Sequence, residues 1–158
     1  MLIKGLIPKQ FSLSVFVLAN IAMDVEPLYR IFRGDSHLHG ISHTFIGAAF
    51  IGVATAVVAP RAIARTWQWY QKFHVDANSL VHITRTQAWM GALLGTGSHL
   101  LLDATMHRDM QLLLPFSDAN PLLHPEWTQN VYLGCLLAGM MGMLISLLRA
   151  GWKLKLPN

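Results

Sequence analysis

The sequence predicts an all-α integral membrane bundle of about four transmembrane helices with one amphipathic interfacial helix, in a single domain over residues 1–158. Three observations predict it. Charged residues make up only 13% of the chain and hydrophobic ones 53%, with a mean hydropathy of +0.41. Soluble domains usually carry about 25% charge. Four apolar runs are each separated by polar, Pro-containing stretches. The cations are sorted between alternate stretches, as membrane topology requires.

The first run, Phe11 to Met23, is interrupted only by Ser12, Ser14 and Asn20. From Pro8 to Tyr29 it is long enough to span as a helix, with Pro27 kinking or ending it. A basic start before a short apolar core is also the shape of a signal peptide. No small-x-small cleavage site follows the core, which favours the span. Arg30 to His39 is a polar connection, and its Arg33-Gly34-Asp35 triplet is given no adhesive role. Ile41 to Ala59 is the second run. It is rich in Gly47, Ala48, Ala49 and Gly52, which favours close helix packing in lipid, and Pro60 ends it.

Arg61 to Arg85 is the most polar stretch. It interleaves Trp67, Trp69 and Tyr70 with Arg65 and Lys72. That composition suits an amphipathic helix at the membrane interface, and His74 and His82 read as interfacial. Gln87 to Thr105 is the third run, with Gly91, Gly95 and Gly97 read as packing positions rather than a phosphate cradle. His107 to Trp127 is a loop holding Pro115, Pro121 and Pro125, and Val131 to Leu148 is the fourth run. The lone Cys135 excludes an internal disulfide and a multi-thiolate zinc site.

With four spans, nine of the twelve cations (Lys4, Lys9, Arg61, Arg65, Lys72, Arg85, Arg149, Lys153, Lys155) fall on one side. The positive-inside rule places that side, with both termini, in the cytoplasm. The acidic residues were not used in that assignment, yet all but Asp76 fall on the outer side, as do six of the eight histidines. No basic patch interleaved with aromatics calls for nucleic acid.

The outer residues form three clusters. In Ser98 to Asp109, SHLLLDATMHRD, His99, Asp103 and His107 recur at i, i+4 and i+8 on nearly one helix face. In Ser36 to Thr44, SHLHGISHT, His39 and His43 are four apart, and Asp24 and Glu26 form the third cluster. Polar groups among leucines are costly unless partnered. Convergence of the three on one membrane face predicts one polar site at the outer end of the bundle. His and carboxylate donors without thiolate suit Zn²⁺, or Mn²⁺ or Fe. Such a metal would support hydrolysis. The bland alternatives are a His99–Asp103 pair that satisfies itself, interfacial histidines at 39 and 43, and solvated carboxylates at 24 and 26. His124 beside Pro125 reads as loop.

Taken together, HGISHTFIGA at His39 to Ala48, Asp24-Val25-Glu26-Pro27, and SHLLLDATMH followed by LLPFSDANP resemble the membrane-bound metal-dependent hydrolases. These are small bacterial and archaeal inner-membrane proteins held to be distantly similar to zinc-dependent phospholipase C and the single-strand nucleases. The resemblance covers Asp24 to Pro121 and implies Asp24, His43, His99 and Asp103 as metal ligands. Relatives carry His-Arg-Gly before the second histidine where this chain has Leu38-His39-Gly40, which leaves His37 or His39 for a further ligand place.

The reading is therefore a hydrolase of a phosphoester or other ester, including one in a lipid, acting at the outer face of the inner membrane. Asp24, His39, His43, His99 and Asp103 are the candidate ligands, Glu26 the candidate base, and His107 and Asp109 its support. The expected partners are membrane lipids, an ester substrate, and a second copy or a membrane-complex subunit. The rival is a non-enzymatic membrane subunit whose His/Asp cluster is structural. An ion pathway would need ionisable residues through the bilayer rather than at one face.

Overall fold

The computed structural model describes residues 9–72 and 82–155. Among these the chain is entirely helical. Four α-helices follow in order: α1 (Leu13–Arg33), α2 (Phe45–Gln71), α3 (Arg85–Met106) and α4 (Thr128–Lys155). Single 3₁₀ turns at Ile41–His43 and Pro125–Trp127 precede α2 and α4.

Each start has a local cause. Ser12 caps α1 by accepting from the Val15 N–H, and Thr44 caps α2 by accepting from the Gly47 N–H. Thr84 and Gln87 form a reciprocal capping box at α3, each side chain bonding the other's backbone N–H. Gly34 ends α1 with a positive φ, in the left-handed region. A side chain would be strained there, and glycine is not.

One expected boundary is corrected, at Pro60, and at Pro27, expected to kink or end the first helix, the helix continues. Pro27 lies inside α1 and Pro60 inside α2. Proline removes one N–H and leaves one carbonyl without its helical partner, a loss that apolar helices tolerate when neighbouring groups compensate. The carbonyl that loses its partner at Pro60 is that of Ala56, and the Arg61 side chain donates one residue further on, to the Val57 carbonyl at 3.0 Å. The interfacial helix expected over Arg61 to Arg85 is accordingly not a separate element up to Gln71: that part is the end of α2. His74 lies outside the described residues.

α1, α2 and α3 pack on one another through small residues. A Cβ on Gly95 would lie 2.8 Å from the Ala19 Cβ and 2.9 Å from the Phe16 carbonyl, and one on Gly91 would lie 2.7 Å from the Ser12 carbonyl. Gly97, grouped with them as a packing position, faces open space. One apolar cluster joins Val15, Ala56, Ala59 and Ala92 at one end of the bundle. Another joins Met23, Ala48, Leu100 and Ala104 at the other end to Met110 and Leu112 from the connection before α4. That connection is fastened down: the Leu112 carbonyl accepts from the Phe45 N–H at 3.0 Å, and the His124 N–H donates to the Thr105 carbonyl at 2.9 Å.

Two helical segments are long and apolar enough to cross a membrane, Phe45–Gln71 at mean hydropathy 1.8 and Pro125–Arg149 at 2.1. α1 and α3 fall short of that test because they carry the polar residues of the site described below. α4 is apolar on every side and hardly buried against the rest of the chain: Leu136, Leu137, Met140, Leu144 and Leu147 are each more than half exposed. A helix apolar all round is a core or membrane helix, and no core surrounds this one among the described residues.

Candidate metal centre

α1 and α3 run side by side, and the Gly91 and Gly95 contacts bring their backbones close enough for Asn20, Asp24, His99 and Asp103 to meet. The loop between α1 and α2 then folds over them and brings in His39 and His43. His43 is fully buried and His39 nearly so.

The centre is built from imidazole Nε2 atoms and carboxylates. His99 Nε2 lies 3.2 Å from Asp24 Oδ1, 3.1 Å from Asp103 Oδ2 and 3.4 Å from His43 Nε2. Asp103 Oδ2 is also 3.5 Å from His43 Nε2 and 4.0 Å from His39 Nε2. The His107 ring stacks at a tilt on His39, centroid to centroid 4.5 Å. Two groups of potential ligand atoms result, Asp24/His43/His99 and His39/Asp103/His107, each within 4.8 Å. Asp103 sits between them.

The other nitrogens of His39, His43 and His99 are all occupied. The Asn20 amide nitrogen donates to the Phe16 carbonyl at 2.8 Å, which turns its oxygen towards His99 Nδ1 at 3.1 Å. That oxygen only accepts, so His99 must carry its proton on Nδ1. Asp109 Oδ1 lies 2.8 Å from His39 Nδ1 and fixes the same tautomer there. His43 Nδ1 meets the Ser42 hydroxyl at 2.8 Å. Held this way, neutral His39 and His99 present Nε2 lone pairs towards Asp103, and His43 does the same when its Nδ1–H donates to the Ser42 hydroxyl. Acceptors face acceptors, so a cation belongs between them: a second proton on a histidine, or a metal ion. Four ligands at about 2.05 Å from a tetrahedral Zn²⁺ stand about 3.3 Å apart. The four separations of 3.1 to 3.5 Å around His99 and His43 are close to that spacing. A hydrogen bond on the far nitrogen is also how metal-ligating histidines are ordinarily oriented.

Asp109 locks the loop as well as the ring. Its Oδ2 accepts from the backbone N–H groups of Leu38 at 2.8 Å and His39 at 3.1 Å. Burial would raise the Asp109 pKa, but these bonds and the His39 ring overcome it and hold the carboxyl well below its ordinary value. Burial pushes His39 down, against the opposing pull of Asp109, so its neutral, ligating form is favoured.

Glu26, the candidate base, is bonded through both of its oxygens. Its Oε1 accepts from Arg30 Nη2 at 2.8 Å and Nε at 3.0 Å, and its Oε2 accepts from the Ser42 N–H at 2.7 Å. Both oxygens are committed to holding the loop. Arg30 reaches on to the His37 carbonyl at 3.2 Å. His37 thus contributes its backbone here, and His39 is the histidine of this pair that faces the cluster. His124 pairs with Glu126 at 3.0 Å, outside the cluster.

Three contributors were not anticipated: Asn20, Ser42 and Arg30. Asn20 had a signal, an amide in an apolar run four residues before Asp24 and hence on the same helix face. Ser42 and Arg30 had none beyond their neighbours.

No curated protein and no solved structure shows a match to this chain. Nothing in these comparisons points to phospholipase C or to a hydrolase. The family model that does match, described as YdjM inner membrane protein, covers residues 8–156. With the apolar helices and nearly the whole length matched, the chain belongs to the YdjM inner membrane protein family.

Proposed function

We propose that this protein is a membrane-bound, metal-dependent hydrolase of a phosphoester or another ester, including one in a lipid. The observation that carries the reading is the convergence of the His39, His43 and His99 Nε2 atoms on Asp24 and Asp103, with each histidine's other nitrogen already bonded. The donors are nitrogen and oxygen alone, which suits Zn²⁺ and also Mn²⁺ or Fe. In the proposed site Asp24, His43 and His99 form one ligand group and His39, Asp103 and His107 the other. When bound, a divalent cation supplies Lewis acidity there, both towards water and towards an ester oxygen. Asp109 and Asn20 hold His39 and His99 in the ligating tautomer, and the Ser42 hydroxyl orients the His43 ring. Glu26 and Arg30 position the loop, replacing the base role expected of Glu26.

Openness supports an enzyme over a structural site. The Asp24 side chain is 61% exposed while His43 is fully buried. A structural metal is closed off by protein ligands, whereas a catalytic one keeps a place for water and substrate. In the topology we propose, α1 and α3 also span, their polar faces turned to the cluster. Both termini are cytoplasmic and the cluster faces outward, by the asymmetry of the cations. The rival reading, a non-catalytic subunit, draws on the bare surface of α4, which suits a partner helix as well as lipid.

Elemental analysis of the detergent-purified protein tests this, beside a His99→Ala/Asp103→Ala variant. Stoichiometric zinc, manganese or iron that the variant lacks, together with release of product from a chromogenic phosphodiester or a phospholipid, is the expected result. A folded wild type that takes up no metal after metal is added back sinks the hydrolase. Metal without any ester turnover leaves the structural subunit as the better account.

A further inference from the structure

The opposite end of the same three helices holds a cleft of about 580 Å³ lined by Pro60, Arg61, His82, Thr84, Arg85 and Trp89, among others. Its depth in the bundle follows from helix geometry. Arg61 comes sixteen residues after Phe45 in α2, and Arg85 comes fourteen before His99 in α3. At the helical rise per residue, each arginine stands roughly 20–25 Å along its helix from the His/Asp end. The stretch from Phe45 to Pro60 contains no charged residue. Arg61 and Arg85 therefore stand where an apolar span reaches the head-group layer, with Trp89 beside them as interfacial aromatics stand.

The chemistry of the cleft is cationic at one wall and apolar at the other. Among the described residues no carboxylate pairs with Arg61, Arg85 or His82. The capping box takes up the N–H groups of Thr84 and Gln87, while those of Arg85 and Thr86 find no partner among the described residues. Arg61 donates one N–H to the Val57 carbonyl at 3.0 Å, and the positive end of the α3 dipole adds to the charge of the two guanidinium groups that line the cleft. Ala56, Val57 and Ile83 supply the apolar wall. Two guanidinium groups with free helix N–H groups recognise a phosphate, and an apolar wall at head-group depth recognises the part of a lipid next to it.

We propose that this cleft binds the phosphate of an anionic lipid head group, at the membrane face away from the His/Asp centre. The full-length protein in detergent is offered equal amounts of phosphatidylglycerol and phosphatidylcholine, and the retained lipid is counted by native mass spectrometry. Phosphatidylglycerol should be preferred. That preference should fall about fivefold in Arg61→Gln or Arg85→Gln and about twenty-five-fold in the double variant, the size expected of cations beside a lipid phosphate. The charge-keeping Arg61→Lys/Arg85→Lys pair should retain most of it, and the single variants carry the test if the double Gln variant does not fold. An unchanged preference in the Gln variants overturns the proposal. Displacement of the lipid by an excess of inorganic phosphate, with the same arginine dependence, overturns the lipid assignment in favour of a soluble phosphate ligand.

Discussion

The two ends of the three-helix bundle are built from the same helices and have opposite chemistry. At the His/Asp end the far nitrogens of His39, His43 and His99 all have hydrogen-bond partners, the loop is tied down twice, and acceptors converge on a point that needs a cation. At the Arg61/Arg85 end the groups are cationic, exposed and without carboxylate partners among the described residues. Between them the helices are closed by Gly–Ala contacts with no room for a side chain at Gly91 or Gly95. The lesson is that the polar chemistry of this bundle gathers at its ends, while the cleft between α2 and α3 midway, about 220 Å³ and lined by Ala48, Leu93 and Leu100 among others, is apolar. A preorganised polar centre and an open charged cleft should also respond differently to mutation, one as a unit and the other residue by residue.

The largest expected effect is at the centre. His99→Ala or Asp103→Ala each removes an atom that sits within 3.5 Å of at least two others. Either should abolish stoichiometric metal, with the double variant no worse than the singles, as elemental analysis would show. Independent, additive losses would break the view of one cooperative centre.

Next comes Asp109→Asn. An asparagine keeps one acceptor oxygen where Asp109 uses two, so either the His39 ring or the Leu38 and His39 backbone loses its partner. Metal affinity should drop about 10- to 100-fold, the usual cost of losing a group that orients a ligand histidine. Competition with a chelator of known affinity measures it. Lipid preference at the far cleft should not change.

Glu26→Ala should act on stability more than on metal. It strips the Ser42 N–H and the Arg30 side chain of their charged acceptor. Such a loss costs roughly 1–3 kcal/mol. A lower apparent Tm with near-normal metal content is the expected outcome. If instead metal and Tm are kept and turnover alone is lost, Glu26 is the base after all.

Much of this was legible in the sequence, and the failures have physical reasons. The apolar runs located all four helices, and the i, i+4 spacing of His99 and Asp103 located the centre, because both are periodic signals that survive folding. Pro60 misled: it looks like a stop, but α2 runs on through it to Gln71, since an apolar helix tolerates the loss of one internal bond. Glu26 and its neighbour Asp24 have different surroundings, because Asp24 reaches His99 in the cluster. Two residues further along a helix is nearly the opposite side of it, and there Glu26 meets Arg30 and Ser42. Asn20 was an uncompensated amide on paper, and its compensation, His99, lies 79 residues away in sequence. The polarity of α1 and α3, which makes the centre, also weakens their signal as spans.

The smallest effect sharpens the comparison most. Thr84→Ala breaks the capping box at the open end by removing the hydroxyl that accepts from the Gln87 N–H. Losing a cap of this kind should cost about 1 kcal/mol of stability. The change touches no residue of the metal centre, so metal content should stay at the wild-type level. Thr84 also lines the cleft, and its loss frees the start of α3 to fray where Arg85 stands. Lipid preference should therefore fall by less than in Arg85→Gln but measurably, because a frayed first turn disperses the N–H groups and the guanidinium together. A fall in metal content with lipid preference unchanged would mean that the two ends are coupled through α3, and that the tight middle transmits strain rather than isolating one site from the other.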